Sequence, residues 1–235
     1  MIARRTVLGL VAVGAAALVV GCDGVEDTPF LWEQPYHARL TAEVETPEGL
    51  RSGSGVIEVK WGKSGKSYHV RGQAVPIDLP GGKVLYVLLR SEANVDWAAY
   101  LHESVDGPEI ESGDRYWASI AANRAVWPVK RRRVTGIEDS DNYPYMVRFR
   151  DPADPKSVEQ VDPDDLAKTF GPEYRLKSLT VQMTDDPVTT GIEKRLGWLG
   201  EYPEPRLVPI PTGGVSNPTL GQALAHGDFS KGEFE

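Results

Sequence analysis

The sequence predicts an α+β fold, a mainly antiparallel sheet with a few short helices, and three local patterns carry that prediction. Ala38, Leu40, Ala42 and Val44 alternate with Arg39, Thr41, Glu43 and Glu45, the period of two expected of a strand with one buried face. The run 84–89, Val-Leu-Tyr-Val-Leu-Leu, is apolar on both faces and therefore suits a central strand. Residues 162–171 carry helix punctuation, with Asp162 as N-cap, Pro163 at the first helical position, acids in the first turn and Gly171 past the end.

The remaining elements follow in chain order. Pro47-Glu48-Gly49 supplies a turn, and Ile57, Val59 and Trp61 alternate with Glu58 and Lys60 as a second strand. Tyr68-His69-Val70-Arg71 is extended, Gly72 predicts a bulge before a strand at 75–79, and Leu79-Pro80-Gly81-Gly82 predicts a turn. Ala93, Trp97 and Leu101 stand four apart with Ser91 available as a cap, which predicts an amphipathic helix over 92–103; a further helix is expected at 116–124. From Trp127-Pro128 to Tyr143-Pro144 the chain is basic, then acidic, then polar, and reads as an exposed loop. Met146-Val147-Arg148-Phe149-Arg150 is strand-like and is stopped by Asp151-Pro152-Ala153-Asp154-Pro155. Another strand is expected at 174–184. Asp185-Asp186-Pro187 then opens a helix whose Val188, Ile192, Leu196 and Leu199 share a face, weakened by Gly191 and Gly197. Residues 201–235 are rich in proline and glycine and read as a tail that is flexible or loosely docked.

The N-terminal segment has the three-part layout of an export signal. Arg4-Arg5 precede the apolar core at 7–20, and Gly21 is the small residue before Cys22, the only cysteine of the chain. As a helix that core would be about 21 Å long, short of the roughly 30 Å of bilayer hydrocarbon. Val19-Val20-Gly21-Cys22 resembles the lipobox of a bacterial lipoprotein precursor. The resemblance implies cleavage between Gly21 and Cys22, a diacylglyceryl thioether on Cys22, and a protein held on the cell envelope facing the periplasm or exterior. Arg4-Arg5-Thr6-Val7-Leu8 is a partial match to a twin-arginine signal, with Ala3 and Val7 off the pattern, so general secretion is the expected route.

Composition bounds what the exported part does. Removing residues 1–21 takes away Arg4 and Arg5 and no acid, leaving 24 basic and 34 acidic side chains and a formal net charge of −10. That balance opposes nucleic-acid binding. With Cys22 acylated no thiol remains for a disulfide, thiol catalysis or a cysteine-ligated metal.

Several constellations could carry chemistry. Gly62-Lys63-Ser64-Gly65-Lys66-Ser67 departs from a phosphate loop because Lys60 stands where the first glycine is needed and a strand follows; a hairpin loop fits it better. Ser52-Gly53-Ser54-Gly55 has Ser52 where a nucleophile elbow needs glycine. His37, His69, His102 and His226 are widely spread and form no close metal-binding pair. Asp151, Asp154, Asp162, Asp164 and Asp165 could together offer oxygen ligands to Ca²⁺, although each also suits a turn or helix cap. Asp185 and Asp186 have the same capping role, and Lys130-Arg131-Arg132-Arg133 is either a solvated loop or a patch for anionic head groups. Between about residues 143 and 199 the stretches DPADPKSVEQVDPDDLAKTFGPEY and TDDPVTTGIEKRLGWL resemble uncharacterised bacterial envelope or prophage-borne proteins, a resemblance that carries no activity and no catalytic position.

The resulting expectation is a signal peptide at 1–21, an acylated tether at 22–36, one α+β domain at 37–200 and the tail at 201–235. The expected partners are the membrane, through acyl chains on Cys22, and an envelope protein; no cofactor and no nucleic acid are implied. A binding or structural module is favoured over an envelope hydrolase built from dispersed Asp, His or Ser residues and over a phage- or element-encoded surface protein.

Overall fold

In the computed structural model the described residues are 32–105, 116–131, 143–199 and 206–232. The expected cleavage site, Gly21 and Cys22, lies outside them. The chain is α+β and dominated by antiparallel strands in two facing sheets. The larger has the order β10 (Ser230–Lys231), β3 (Tyr68–Gln73), β2 (Gly49–Trp61), β1 (Tyr36–Thr46), β9 (Arg175–Thr184), β6 (Val126–Pro128), and the smaller β4 (Val75–Leu79), β5 (Lys83–Ser91), β7 (Pro144–Phe149), β8 (Val158–Val161).

Strand β1 (Tyr36–Thr46) is the centre of the larger sheet, and its alternation buries Tyr36, Ala38, Leu40, Ala42 and Val44 against the smaller sheet. It pairs with β2 (Gly49–Trp61) in continuous register from Tyr36 opposite Val59 to Thr46 opposite Gly49. Thr46 closes the turn by donating its hydroxyl to the Gly49 carbonyl at 2.7 Å, while Gly49 takes φ of 101°, open to glycine at little cost. β2 begins eight residues before the apolar alternation at Ile57 that marks it in the sequence. Its first half carries Ser52-Gly53-Ser54-Gly55, and those glycines serve packing. A Cβ on Gly53 would lie 2.2 Å from the Pro76 carbonyl oxygen, so the backbone of β4 can cross only where β2 has no side chain.

After β3 (Tyr68–Gln73) the chain turns at Gly72 and Ala74 and enters the second sheet as β4 (Val75–Leu79). The bulge expected at Gly72 is thus the corner where the chain changes sheets. A hairpin through Pro80–Gly82 leads to β5 (Lys83–Ser91), which lies between β4 and β7 (Pro144–Phe149). Its two apolar faces have separate destinations. Leu85, Val87 and Leu89 enter the core between the sheets, while Tyr86 and Leu88 enter a second core on the outer face of the smaller sheet.

The large sheet is completed by β6 (Val126–Pro128), found where the sequence suggested only loop, and by β9 (Arg175–Thr184), as expected. β8 (Val158–Val161), an edge strand, follows a 3-10 turn whose Asp154 carboxylate accepts from the Lys156 amide. Helices are short: α1 (Tyr116–Ala122), α2 (Leu166–Phe170) and α3 (Leu220–Ala223). α2 starts later than its punctuation suggested, because Asp165 caps it while Asp162 caps the preceding turn.

Two expected helices are corrected. Over 92–103 only a kinked 3-10 segment forms, Trp97–Glu103, and Ser91 accepts the Asn94 amide in the turn before it. Trp97, Ala98, Ala99, Leu101 and His102 are all buried, so packing from several sides displaces the single apolar face an amphipathic helix needs. Over 187–199 the helix shrinks to Ile192–Lys194, because Gly191 sits in the left-handed region at φ 104°. The apolar stripe still works: Ile192, Leu196 and Leu199 fill the outer core.

Of the two readings of the tail, flexible or loosely docked, residues 206–232 correct the first: they are docked. Leu207, Leu224 and Phe229 are buried in the outer core, and β10 (Ser230–Lys231) pairs with β3. Proline and glycine here mark turns of a docked segment whose few apolar side chains are widely spaced. The tether likewise ends earlier than Tyr36, since Trp32 bridges Gly62 and the Glu33 amide donates to the Trp61 carbonyl at 2.8 Å.

Phe229→Ala is expected to destabilise the protein by about 3–5 kcal/mol in urea unfolding, whereas an undocked tail would leave the midpoint unchanged.

Candidate functional site

Three strand ends meet at a cleft of about 370 Å³. β5 ends beside Glu92, β7 begins just after Tyr143 with Pro144 and Tyr145, and β8 leads through Gln160 into Asp162, with Arg131 beside Tyr143. The floor is made by Met146 and Val161, both fixed by core packing. Sheet backbone therefore holds the polar rim, the arrangement that positions a ligand most reproducibly.

Arg90 supports this cleft from behind. It directly follows the apolar run 84–89, and its guanidinium donates to the Ala223 carbonyl at 3.1 Å and to the Asp228 carboxylate at 3.4 Å. It also lies 5.6 Å from the centre of the Tyr145 ring. Asp228 is 6% exposed and accepts from the Ala225 amide at 2.8 Å. Burial raises its pKa above the ordinary carboxylate value, while the Ala225 amide, Arg90 and Lys231 pull the other way. The Tyr145 phenol is raised chiefly by burial and further by the charge of Glu92, so it remains a neutral donor and acceptor. Arg131 is engaged as well, 2.6 Å from Asp164 and stacked over Tyr143 at 4.9 Å.

The residues singled out from sequence are dispersed. The Asp151, Asp154, Asp162 and Asp165 carboxylates cap nearby backbone amides, of Ala153, Lys156, Asp164 and Lys168, and Asp164 pairs with Arg131. Among the described residues no group of three or more His, Cys, Asp or Glu could hold a metal ion, so the structure does not bring the calcium candidates together. Asp185 pairs with Arg124 at 2.7 Å and Asp186 pairs with Arg39. Gly62-Lys63-Ser64-Gly65-Lys66-Ser67 is a hairpin loop closed by the Gly62 amide on the Ser67 carbonyl at 2.8 Å. Of the basic block, Lys130 and Arg131 lie beside β6, while Arg132 and Arg133 fall outside the described residues.

Each histidine has its own surroundings. His37 faces the Asp186 carbonyl and the Glu58 carboxylate, His69 packs on Trp32, and His226 packs on Trp198. His102 is buried beside Tyr36, with 3.1 Å between its Nδ1 and the phenol oxygen, and burial lowers its pKa to about 4. Composition and motif spacing did not single out the cleft, because its residues come from four separated segments. One signal was available: Arg90 directly follows a doubly apolar run, and a cation there requires a buried partner. No family model, curated protein or solved structure matches the chain.

The low pKa of His102 sets a pH dependence. The unfolded chain takes up this proton near pH 6.5 and the folded protein only near pH 4, so stability falls as pH drops through that interval. Relative to a His102→Gln variant, the wild type is expected to lose roughly 2–3 kcal/mol between pH 7 and 4.5, measured by urea unfolding at both values.

Proposed function

We propose that this protein is a membrane-anchored lipoprotein of the bacterial envelope and that its folded domain is a binding module whose ligand occupies the Glu92–Tyr145 cleft. The anchoring half rests on Arg4-Arg5, the apolar core and the lone Cys22. Several acyl chains hold a protein stably where one holds it only marginally. Among the described residues no helix is long and apolar enough to cross a membrane, and an acylated cysteine requires none.

The observation that carries the binding half is the cleft rim. Glu92, Gln160 and two tyrosines present acceptors and donors on strand ends, and among the described residues Glu92 makes no ion pair. A polar ligand with an ammonium group or several N–H or O–H donors fits that lining. A hydrolase reading would need a shifted carboxyl or histidine open to the cleft. Asp228, the shifted carboxyl behind it, is buried and already engaged by the Ala225 amide and Arg90.

Two measurements test the two halves. In cells fed a labelled fatty acid, wild-type chain is expected to carry label and fractionate with membranes, and Cys22→Ala to do neither; label on Cys22→Ala would refute the anchor. In thermal-shift assays with amino sugars, polyamines and short lysine-containing peptides, at least one probe is expected to raise Tm. Glu92→Gln is expected to weaken that probe about tenfold while changing stability by less than about 0.5 kcal/mol. Failure of every probe, or an unchanged affinity in Glu92→Gln, would refute the site.

A further inference from the structure

The chain leaves its expected anchor and enters the domain at one defined place. Trp32 bridges Gly62, and the Glu33 amide is bonded to the Trp61 carbonyl, so the entry is pinned to the β2–β3 hairpin. Nine residues separate Cys22 from Trp32, and an extended chain of that length reaches at most about 35 Å. The hairpin end is therefore the part of the domain tied closest to Cys22.

Its chemistry differs from that of the chain as a whole. From residue 59 to residue 77 the sequence carries Lys60, Lys63, Lys66 and Arg71 and no acid, in a protein with a formal net charge of −8. Lys63 and Lys66 are exposed at the hairpin tip, and the Lys60 ammonium lies over the Trp32 ring at 5.3 Å. Trp32, Tyr68 and Tyr100 are half-buried around the same end and give the lysines an aromatic base. Lys130 and Arg131, the described part of the other basic block, are placed otherwise. Val129 bonds to Leu179, which is five residues up β9 from Thr184 at this end, about 17 Å along the strand.

We infer that the β2–β3 hairpin end, with Trp32, is a lipid-facing surface that takes the anionic head groups of the bilayer holding Cys22. This rests on the anchoring reading above. The lysines do not supply the attachment; they orient the domain, turning the hairpin to the membrane and leaving the Glu92–Tyr145 cleft to its own ligand. Each lysine near an anionic surface strengthens the interaction about fivefold, and salt weakens it.

The test uses the full protein purified from membranes and placed in vesicles of phosphatidylcholine alone or of phosphatidylcholine with phosphatidylglycerol. An intact mass first reports whether Cys22 is acylated. Acetylation of lysine side chains is then timed by peptide mass spectrometry, with exposed Lys156 and Lys168 as internal references. The expected result is that Lys63 and Lys66 react at least fivefold more slowly than the references in the anionic vesicles, and that high salt removes the difference. An acylated protein whose Lys63 and Lys66 react as fast as the references in both vesicles overturns the inference and leaves the anchor standing. A chain with unmodified Cys22 overturns the anchor and the inference together.

Discussion

The constraint on which this structure depends is that the smaller sheet must be dry on both faces. β5 is apolar on either side, so one face seals against β1, β2 and β9 and the other needs a cover of its own. That cover comes from the end of the chain: Ile192, Leu196 and Leu199, then Leu207, Leu224 and Phe229. The segment closes a large sequence separation, since Phe229 packs on Phe149 at 5.7 Å between ring centres. Loop entropy grows only slowly with length, and the apolar area gained by docking offsets it.

The same cover sets the polar chemistry. Arg90 emerges where β5 passes from core to rim, and a guanidinium there needs acceptors. The C-terminal segment brings them, the Ala223 carbonyl and the Asp228 carboxylate. A buried ion pair of this kind is a weak stabiliser but a strict one, because removing either partner strands the other. It fixes the angle at which the C-terminal segment lies and holds Tyr145 under a cation at the cleft. Stability of the outer core and geometry of the candidate site are thus coupled through one side chain.

Charge is distributed unevenly over this frame. Most exposed cations of the outer faces are matched: Arg39 with Asp186, Arg124 with Asp185, Arg175 with Glu45, and Arg195 with Asp78 in a two-point contact. Exposed pairs of this sort add little to stability, and their effect is to neutralise the surfaces they occupy. The hairpin of β2 and β3 carries exposed Lys63 and Lys66 and no acid in its loop, and it is where the chain arriving from the N-terminus docks. Fold topology thereby gives the domain a polarity along its strands that net charge conceals.

The sequence by itself determined the elements whose signals are local. The alternation of β1, the double-sided run of β5, the turn at Pro80–Gly82, β9 and the Gly171 helix stop need only neighbours in the chain, and each is found. The aspartates at 151, 154, 162 and 165 act as local caps for the same reason. Tertiary structure decided the rest. Apolar spacing at 92–103 and 187–199 matched a helix, yet burial from several sides and the backbone of Gly191 replaced it with 3-10 turns. The glycines of β2 acquire meaning only once β4 crosses them, and Leu207, Leu224 and Phe229 only once an uncovered sheet face exists for them to fill. The cleft and the Arg90–Asp228 pair belong to this second class: their residues come from distant segments, and only the packing that dries both faces of the smaller sheet brings them together.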